Sequence, residues 1–385
     1  MAITDLKSAI RPRFRAQSRE FYFLLGLTAI IGVLGLAMVA SASTVDAFKN
    51  TSNAASTFVR QGGFALLGAL ALVVASNLPL TFYKRTANLL LLSTLGLQLA
   101  TVLFGTEING NRNWLDLGFV SIQPSEFLKL GMILAFSLML SQLGPDELEN
   151  RQIWTRVFAY SGISLLLVVL FGKDMGTGVV MLVTLAGLFL FAGMKLANWL
   201  SLMALGAMAA VLLVMFSPSR AARFSAWLNP DEADPMGVRW QYEHGTWALA
   251  HGGIFGTGLG RSKMKWSWIP EVQNDFIFAI IGEELGLIGA MFVILLFTAL
   301  AVTLFAIAKS QTNSFSRNVV AAVMVWISMQ AFINIGVVLG VFPVLGVPLP
   351  LVSAGGSSLI STMAAIGVVL AVERDRVMNP VRSRR

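Results

Sequence analysis

The sequence contains no cysteine and only two histidines in 385 residues. Disulfides, thiol nucleophiles and thiolate metal sites are thereby excluded, while the compartment stays open. The histidines, His244 and His251, lie seven apart in one polar stretch rather than at the i, i+4 spacing of a helical zinc pair. Neither a metal site nor a Ser-His-Asp triad is supported. Charge is scarce too: 12% of residues are charged, against about 25% in a soluble domain. There is no internal repeat, no low-complexity tract and no nucleotide loop. GTGLGRS has Arg261 where GxGxxG needs its last glycine, and no GK[ST] occurs.

What is present is apolar sequence, 56% of the chain. It falls into runs of roughly 18 to 22 residues, enough to cross a hydrocarbon core about 30 Å thick. The fold class read from this is an all-α polytopic membrane protein, one integral membrane domain over 1–385 with about ten transmembrane helices. The expected spans are 21–41, 60–78, 86–104, 124–143, 154–172, 177–194, 196–215, 276–307, 316–341 and 353–372. The opening 1–20, with Lys7, Arg11, Arg13, Arg15 and Arg19, precedes an apolar run too long for a cleavable signal peptide.

The net charge of +8 is distributed for lipid rather than nucleic acid. With the first 20 residues inside, the inner segments carry most of the 28 lysines and arginines. Both termini are therefore expected in the cytoplasm, with tail 373–385 (Arg382, Arg384, Arg385) facing anionic lipid. Three polar stretches then face outward: 105–123, the large loop 217–275 between the seventh and eighth spans, and 342–353. In the large loop VRWQYEHGTWALAHGG reads as an interfacial helix. The prolines of FPVLGVPLPLVS rule out regular helix there. Nonhelical apolar backbone beside a membrane must be shielded or line a cavity.

Ionisable residues at membrane depth are costly and point to function by default. Glu126 and Lys129 stand three apart on one helical face; they read as a site or as a structural ion pair. Asp174 in KDMGTG and Asp275 before the eighth span read as site carboxylates or as helix N-caps. Glu283 and Glu284, deeper in the span, read as tethers.

NGNRNWLDLG with IQPSEFLK, then KDMGTG, GGIFGTGLGRSKMK, IPEVQNDFIFAIIGEELG and PVLGVPLPLVSAGGSSL stand in this order along most of the chain. Together they resemble the SEDS family of shape, elongation, division and sporulation proteins, and the IPE…NDFIFAIIGEELG run is closer to its FtsW branch. The sequence departs from the family pattern at Asn113, where Arg is usual and Arg112 lies one earlier, at Gln273 and at Ala354.

The resemblance implies a peptidoglycan glycosyltransferase that polymerises lipid II on the outer face of the bacterial cytoplasmic membrane, in septal wall synthesis. It makes Asp275 the catalytic carboxylate. Lys129, Glu126, Gln123, Asp174 and Arg60 are expected around the substrate, with Ser353, Gly355 and Gly356 from the last motif. It implies a class B penicillin-binding protein and other divisome or elongasome membrane proteins as partners. No resident cofactor is implied; a divalent cation, Mg or Mn, would at most assist pyrophosphate departure.

Such a reaction needs a proton acceptor and cations for the departing pyrophosphate. Asp275 suits the first, and Lys129, Arg60, Arg112 and Lys265 the second. Glu271 reads as an orienting or partner-contacting residue, Trp266, Trp268 and Ile269 as anchors of its loop, and Pro270 as the residue that aims the chain. The alternatives are a lipid II flippase, which suits an intramembrane ion pair and a broken segment, and a noncatalytic scaffold for the transpeptidase.

Overall fold

The structure, a computed structural model, describes residues 17–51, 53, 55–108, 110–118, 120–229, 238–266 and 272–379. The expectations for Trp268, Ile269, Pro270 and Glu271, and for most of the basic termini, lie outside these residues. The chain forms α1 (Arg19–Thr51), α2 (Ser56–Asn77), α3 (Leu80–Phe104), a small sheet, α4 (Pro124–Leu140), α5 (Glu147–Leu165), α6 (Met175–Phe191) and α7 (Leu196–Met215). There follow α8 (Pro218–Leu228), α9 (Val238–Gly252), α10 (Ile277–Ser310), α11 (Ser314–Val338) and α12 (Gly356–Met378).

Every segment expected to span falls on one of these helices. By length and apolarity 8 of them are candidates to cross a membrane. The other two, α4 and α6, have 17 residues each. The first helix runs to Thr51, beyond the expected end at 41, and α3 starts at Leu80, where Pro79 supplies an extended N-cap. The expected interfacial helix is α9. Its neighbour α8 went unforeseen, although Pro218 sits in its first turn, where the missing N–H is no loss. No helix forms between Leu339 and Gly355, as the prolines require.

Polar side chains set several helix starts. Asp146 accepts from the N–H groups of Leu148 and Glu149 to open α5. Asn313 accepts from Ser316 N to open α11. The end of α5 widens into a π-helical turn, Leu166–Phe171, and Lys173 at φ +59° reverses the chain into α6.

The polar stretch after α3 is a three-stranded antiparallel sheet: β1 (Thr106–Ile108), β2 (Asn111–Asp116) and β3 (Ser121–Ile122). Trp114 pairs with Thr106 and Leu115 with Ile122, and Gly110 and Gly118 take positive φ at the two turns. Arg112 N donates to Gly172 O at 2.9 Å, binding the sheet to the end of α5.

The core is centred on α11 and α12. Of their most apolar windows 67% and 89% are buried, whereas no residue of α7 is. Helix α10 is broken rather than straight. Gly286 adopts φ 69°, ψ −169°, a conformation essentially restricted to glycine. The loop after α9 enters the break: Thr257 and Gly258 donate to the carbonyls of Glu283 and Glu284, and Leu287 N donates to Gly253 O. Backbone groups freed by the break thus find partners, as a low-dielectric setting demands.

The carboxylates next to the break clamp the same loop. Glu283 accepts from Ser262 Oγ, from Lys263 N at 2.9 Å and from Met264 N at 3.4 Å, and pairs with His251 Nδ1 at 3.1 Å. Glu284 accepts from Ser41 Oγ of α1 at 2.7 Å. Both act as tethers within the fold.

Candidate functional site

At the end of the bundle that carries the sheet, α8, α9 and the proline segment, a cavity of about 1290 Å³ opens. Small-molecule sites generally measure ~300–1,000 Å³, so this one has room for more than one polar group. It brings together residues from every polar stretch on this side of the molecule. Asp275, Glu126, Gln123, Asp174, Arg60, Gly355 and Gly356 all line it.

Asp174 does both things the sequence allowed. Its Oδ1 accepts from Thr177 N at 2.9 Å, capping α6. Its Oδ2 accepts from Thr177 Oγ1 at 2.7 Å, Asn113 Nδ2 at 2.8 Å and Gln123 Nε2 at 3.0 Å. A buried carboxylate ringed by donors is fixed in place. Asn113, where the family pattern has arginine, therefore contributes its amide to the cavity wall.

The Glu126–Lys129 pair forms the floor. Lys129 Nζ donates to Glu126 Oε1 at 2.9 Å and to Gln330 Oε1 at 3.1 Å, and lies 4.7 Å from the Trp326 ring centre. With 1% exposure, Lys129 sits beneath the lining rather than in it, and only Glu126 reaches the cavity. Its ammonium is engaged by protein on all these sides.

Two further expected cations are placed elsewhere. Arg112 is exposed and donates to Val102 O at 3.4 Å, turned away from the cavity because alternation along β2 sends Asn113 inward instead. Lys265 is buried in the clamped loop, donating to Gly260 O at 2.6 Å and pairing with Glu284 at 3.5 Å. Ser353 also stands behind the lining, where its Oγ accepts from Leu349 N at 2.8 Å and shapes the proline segment.

The cations that do line the cavity, besides Arg60, are Lys173, Arg220 and Arg223. Arg220 donates to Val169 O at 3.1 Å and Lys173 O at 3.2 Å, binding α8 to the turn before Asp174. Burial lowers its pKa, the nearby Asp174 raises it and Arg223 lowers it further; a guanidinium stays charged throughout. Lys173 faces Glu107 at 3.5 Å. The one available signal for the arginines was PSRAARF, whose i, i+3 arginines share a face of a short helix.

Gln61 was also missed. It accepts from Gly355 N at 3.2 Å and donates to Ser353 O at 3.3 Å, fixing the paired glycines against α2. Gly355 and Gly356 give the cavity a wall with no side chain. Ala354 N donates to Gln273 O at 2.9 Å, joining the proline segment to the Asp275 turn. Gly176 passes so close to Leu345 O that an added Cβ would lie 2.2 Å from it, which fixes this segment against α6.

Chemically, the cavity offers carboxylates and permanent cations together, in a wall of fixed backbone. That suits transfer of a polar group from an anionic leaving group. Among the described residues no three histidines or carboxylates converge as a metal cage.

Comparison with known proteins agrees with this architecture. The family model described as "Cell cycle protein", covering FtsW, RodA and SpoVE, matches residues 21–377. The probable peptidoglycan glycosyltransferase FtsW of Mycobacterium tuberculosis is 36% identical over 357 residues, 92% of this chain and 68% of that protein. Stage V sporulation protein E of Bacillus subtilis is 37% identical over 356 residues, 91% of this chain and 96% of that one. Among solved structures, a chain from work on polymerization and crosslinking by a peptidoglycan synthase complex superposes with a TM-score of 0.73 at 28% identity, covering 94% of this chain and 99% of that chain. The rod shape determining protein RodA of Thermus thermophilus gives 0.69 at 28% identity, covering 95% and 99%. A match of this extent settles the family: this chain is a member of the FtsW/RodA/SpoVE family.

Proposed function

We propose that this chain is a peptidoglycan glycosyltransferase that polymerises lipid II on the outer face of the bacterial cytoplasmic membrane, in septal wall synthesis. The observation that carries this reading is one cavity holding Asp275 together with Arg60, Lys173, Arg220 and Arg223. Both termini are then cytoplasmic, and a penicillin-binding transpeptidase crosslinks the product.

The 4-hydroxyl oxygen of one lipid II attacks the anomeric carbon of the lipid-linked chain. The bond from that carbon to the pyrophosphate oxygen breaks, and the anomeric configuration inverts. Asp275 takes the hydroxyl proton. The charge growing on pyrophosphate meets guanidinium groups already in place, which is where preorganised electrostatics act most strongly. Asp174, Gln123 and Asn113 fix the wall on which the sugars rest, and Lys129 acts through Glu126 rather than on substrate. Among the described residues no three histidines or carboxylates form a cage for a divalent cation around this cavity.

The test is polymerisation of labelled lipid II by purified protein, with and without its transpeptidase. Wild type yields glycan ladders, and folded Asp275→Ala loses turnover by about 10²–10⁴-fold. Ladders of equal strength from Asp275→Asn would remove the base role. No ladder from wild type in either setting would turn the reading toward flipping of lipid II.

A further inference from the structure

Helix α11 sends three buried polar side chains, Trp326, Gln330 and Asn334, along one face at i, i+4 and i+8, each 1% exposed. The first two serve the floor: Trp326 Nε1 donates to Gln330 Oε1 at 2.8 Å, and Gln330 Nε2 donates to Pro348 O at 3.0 Å. One turn on, the single amide of Asn334 donates to Asp275 O at 2.8 Å and to Val347 O at 2.7 Å.

Asn334 is held at a cost. Its Oδ1 is buried and meets no donor among the described residues, which costs ~1–3 kcal/mol for an orphaned acceptor. An apolar side chain of the same shape would avoid that penalty but would leave the carbonyls of Asp275 and Val347 without these donors. What it alone supplies is two N–H donors on one rigid amide, aimed at two carbonyls. One belongs to the residue carrying the proposed base, the other to the proline segment. Asp275 sits just before the first turn of α10. Its carbonyl is tied to α11 through the Asn334 amide.

We infer that Asn334 is a positioning residue: it fixes the Asp275 backbone against the proline segment so that the carboxylate is aimed into the cavity. This rests on the glycosyltransferase reading only for its effect on turnover. The tether itself is a statement about geometry.

The test pairs kinetics with a reporter that needs no substrate. Asn334→Leu keeps the volume and removes both donors. Turnover falls on the order of tenfold to a hundredfold, as for a misplaced catalytic group, while KM for lipid II stays within about twofold; Tm falls modestly, since two carbonyls lose their donors. Because the chain has no cysteine, a spin label at Gln273→Cys reports this turn alone, and Asn334→Leu makes it more mobile. Turnover within about twofold of the parent, or unchanged label mobility, overturns the inference. If the parent makes no polymer but the label still loosens, the glycosyltransferase reading falls and the tether stands. Should Asn334→Leu fail to fold, Asn334→Ala, smaller and equally without donors, is read by the same two measurements.

Discussion

At the scale of single residues, the expected carboxylates Asp174, Glu126 and Asp275 line the cavity, while of the four expected cations only Arg60 does. Asp174, Glu126 and Asp275 stood out because a carboxylate near a greasy segment has few cheap explanations. Cations have many, since a long side chain reaches several neighbours from one position. Lys265 therefore serves Glu284 and Arg112 leaves the cavity, while Arg220 and Arg223 enter it from a helix the sequence reading did not foresee. The buried Glu126–Lys129 pair yields a firm prediction. Lys129→Met strands a carboxylate at the floor and should destabilise the protein by ~3–5 kcal/mol. Adding Glu126→Gln should recover most of that loss. Thermal unfolding of the four variants in one detergent measures the cycle, and additive losses would show that the two groups are not coupled.

Among the elements, the spanning helices were legible because apolar length alone specifies them; α3 and α5 start earlier than expected, after Pro79 and Asp146, and α1 runs on to Thr51. The sheet of 106–122 was not legible, for its strands are short and paired by glycine turns rather than by long alternation. The break in α10 escaped notice for a different reason. Gly286 is one of 35 glycines, and only the loop entering the gap distinguishes it. An added Cβ there would lie 2.4 Å from Gly256 N and Ile254 O. Gly286→Ala should therefore cost ~1–3 kcal/mol in backbone strain and release the loop around Arg261 and Lys263. Limited trypsin digestion would read this as new cleavage after those residues, and an unchanged pattern would mean the break tolerates a side chain.

For the whole molecule, the cavity and the proline segment gather at one end of the bundle, and a second, smaller hollow of about 400 Å³ beside Lys84 and Arg376 lies at the other. The proposed orientation puts the first outside. Single cysteines at Phe255 and Asn313, in this cysteine-free chain, should react with an impermeant maleimide from opposite sides of a cell membrane. Labelling of both from outside would overturn the topology.

One consequence concerns the thickness of the lipid itself. The wall bearing Arg220 and Arg223 continues directly from α7, which buries no side chain, while Asp275 rests on the densely packed α11. Stretching or thinning the bilayer costs only fractions of a kcal/mol per ångström of mismatch, so α7 should yield to it long before α11 does. In vesicles of graded acyl length the affinity for the pyrophosphate-bearing substrate should drift, with turnover at saturation nearly constant. The lipid around the protein would then tune how readily a strand is started, and leave the pace of its growth alone.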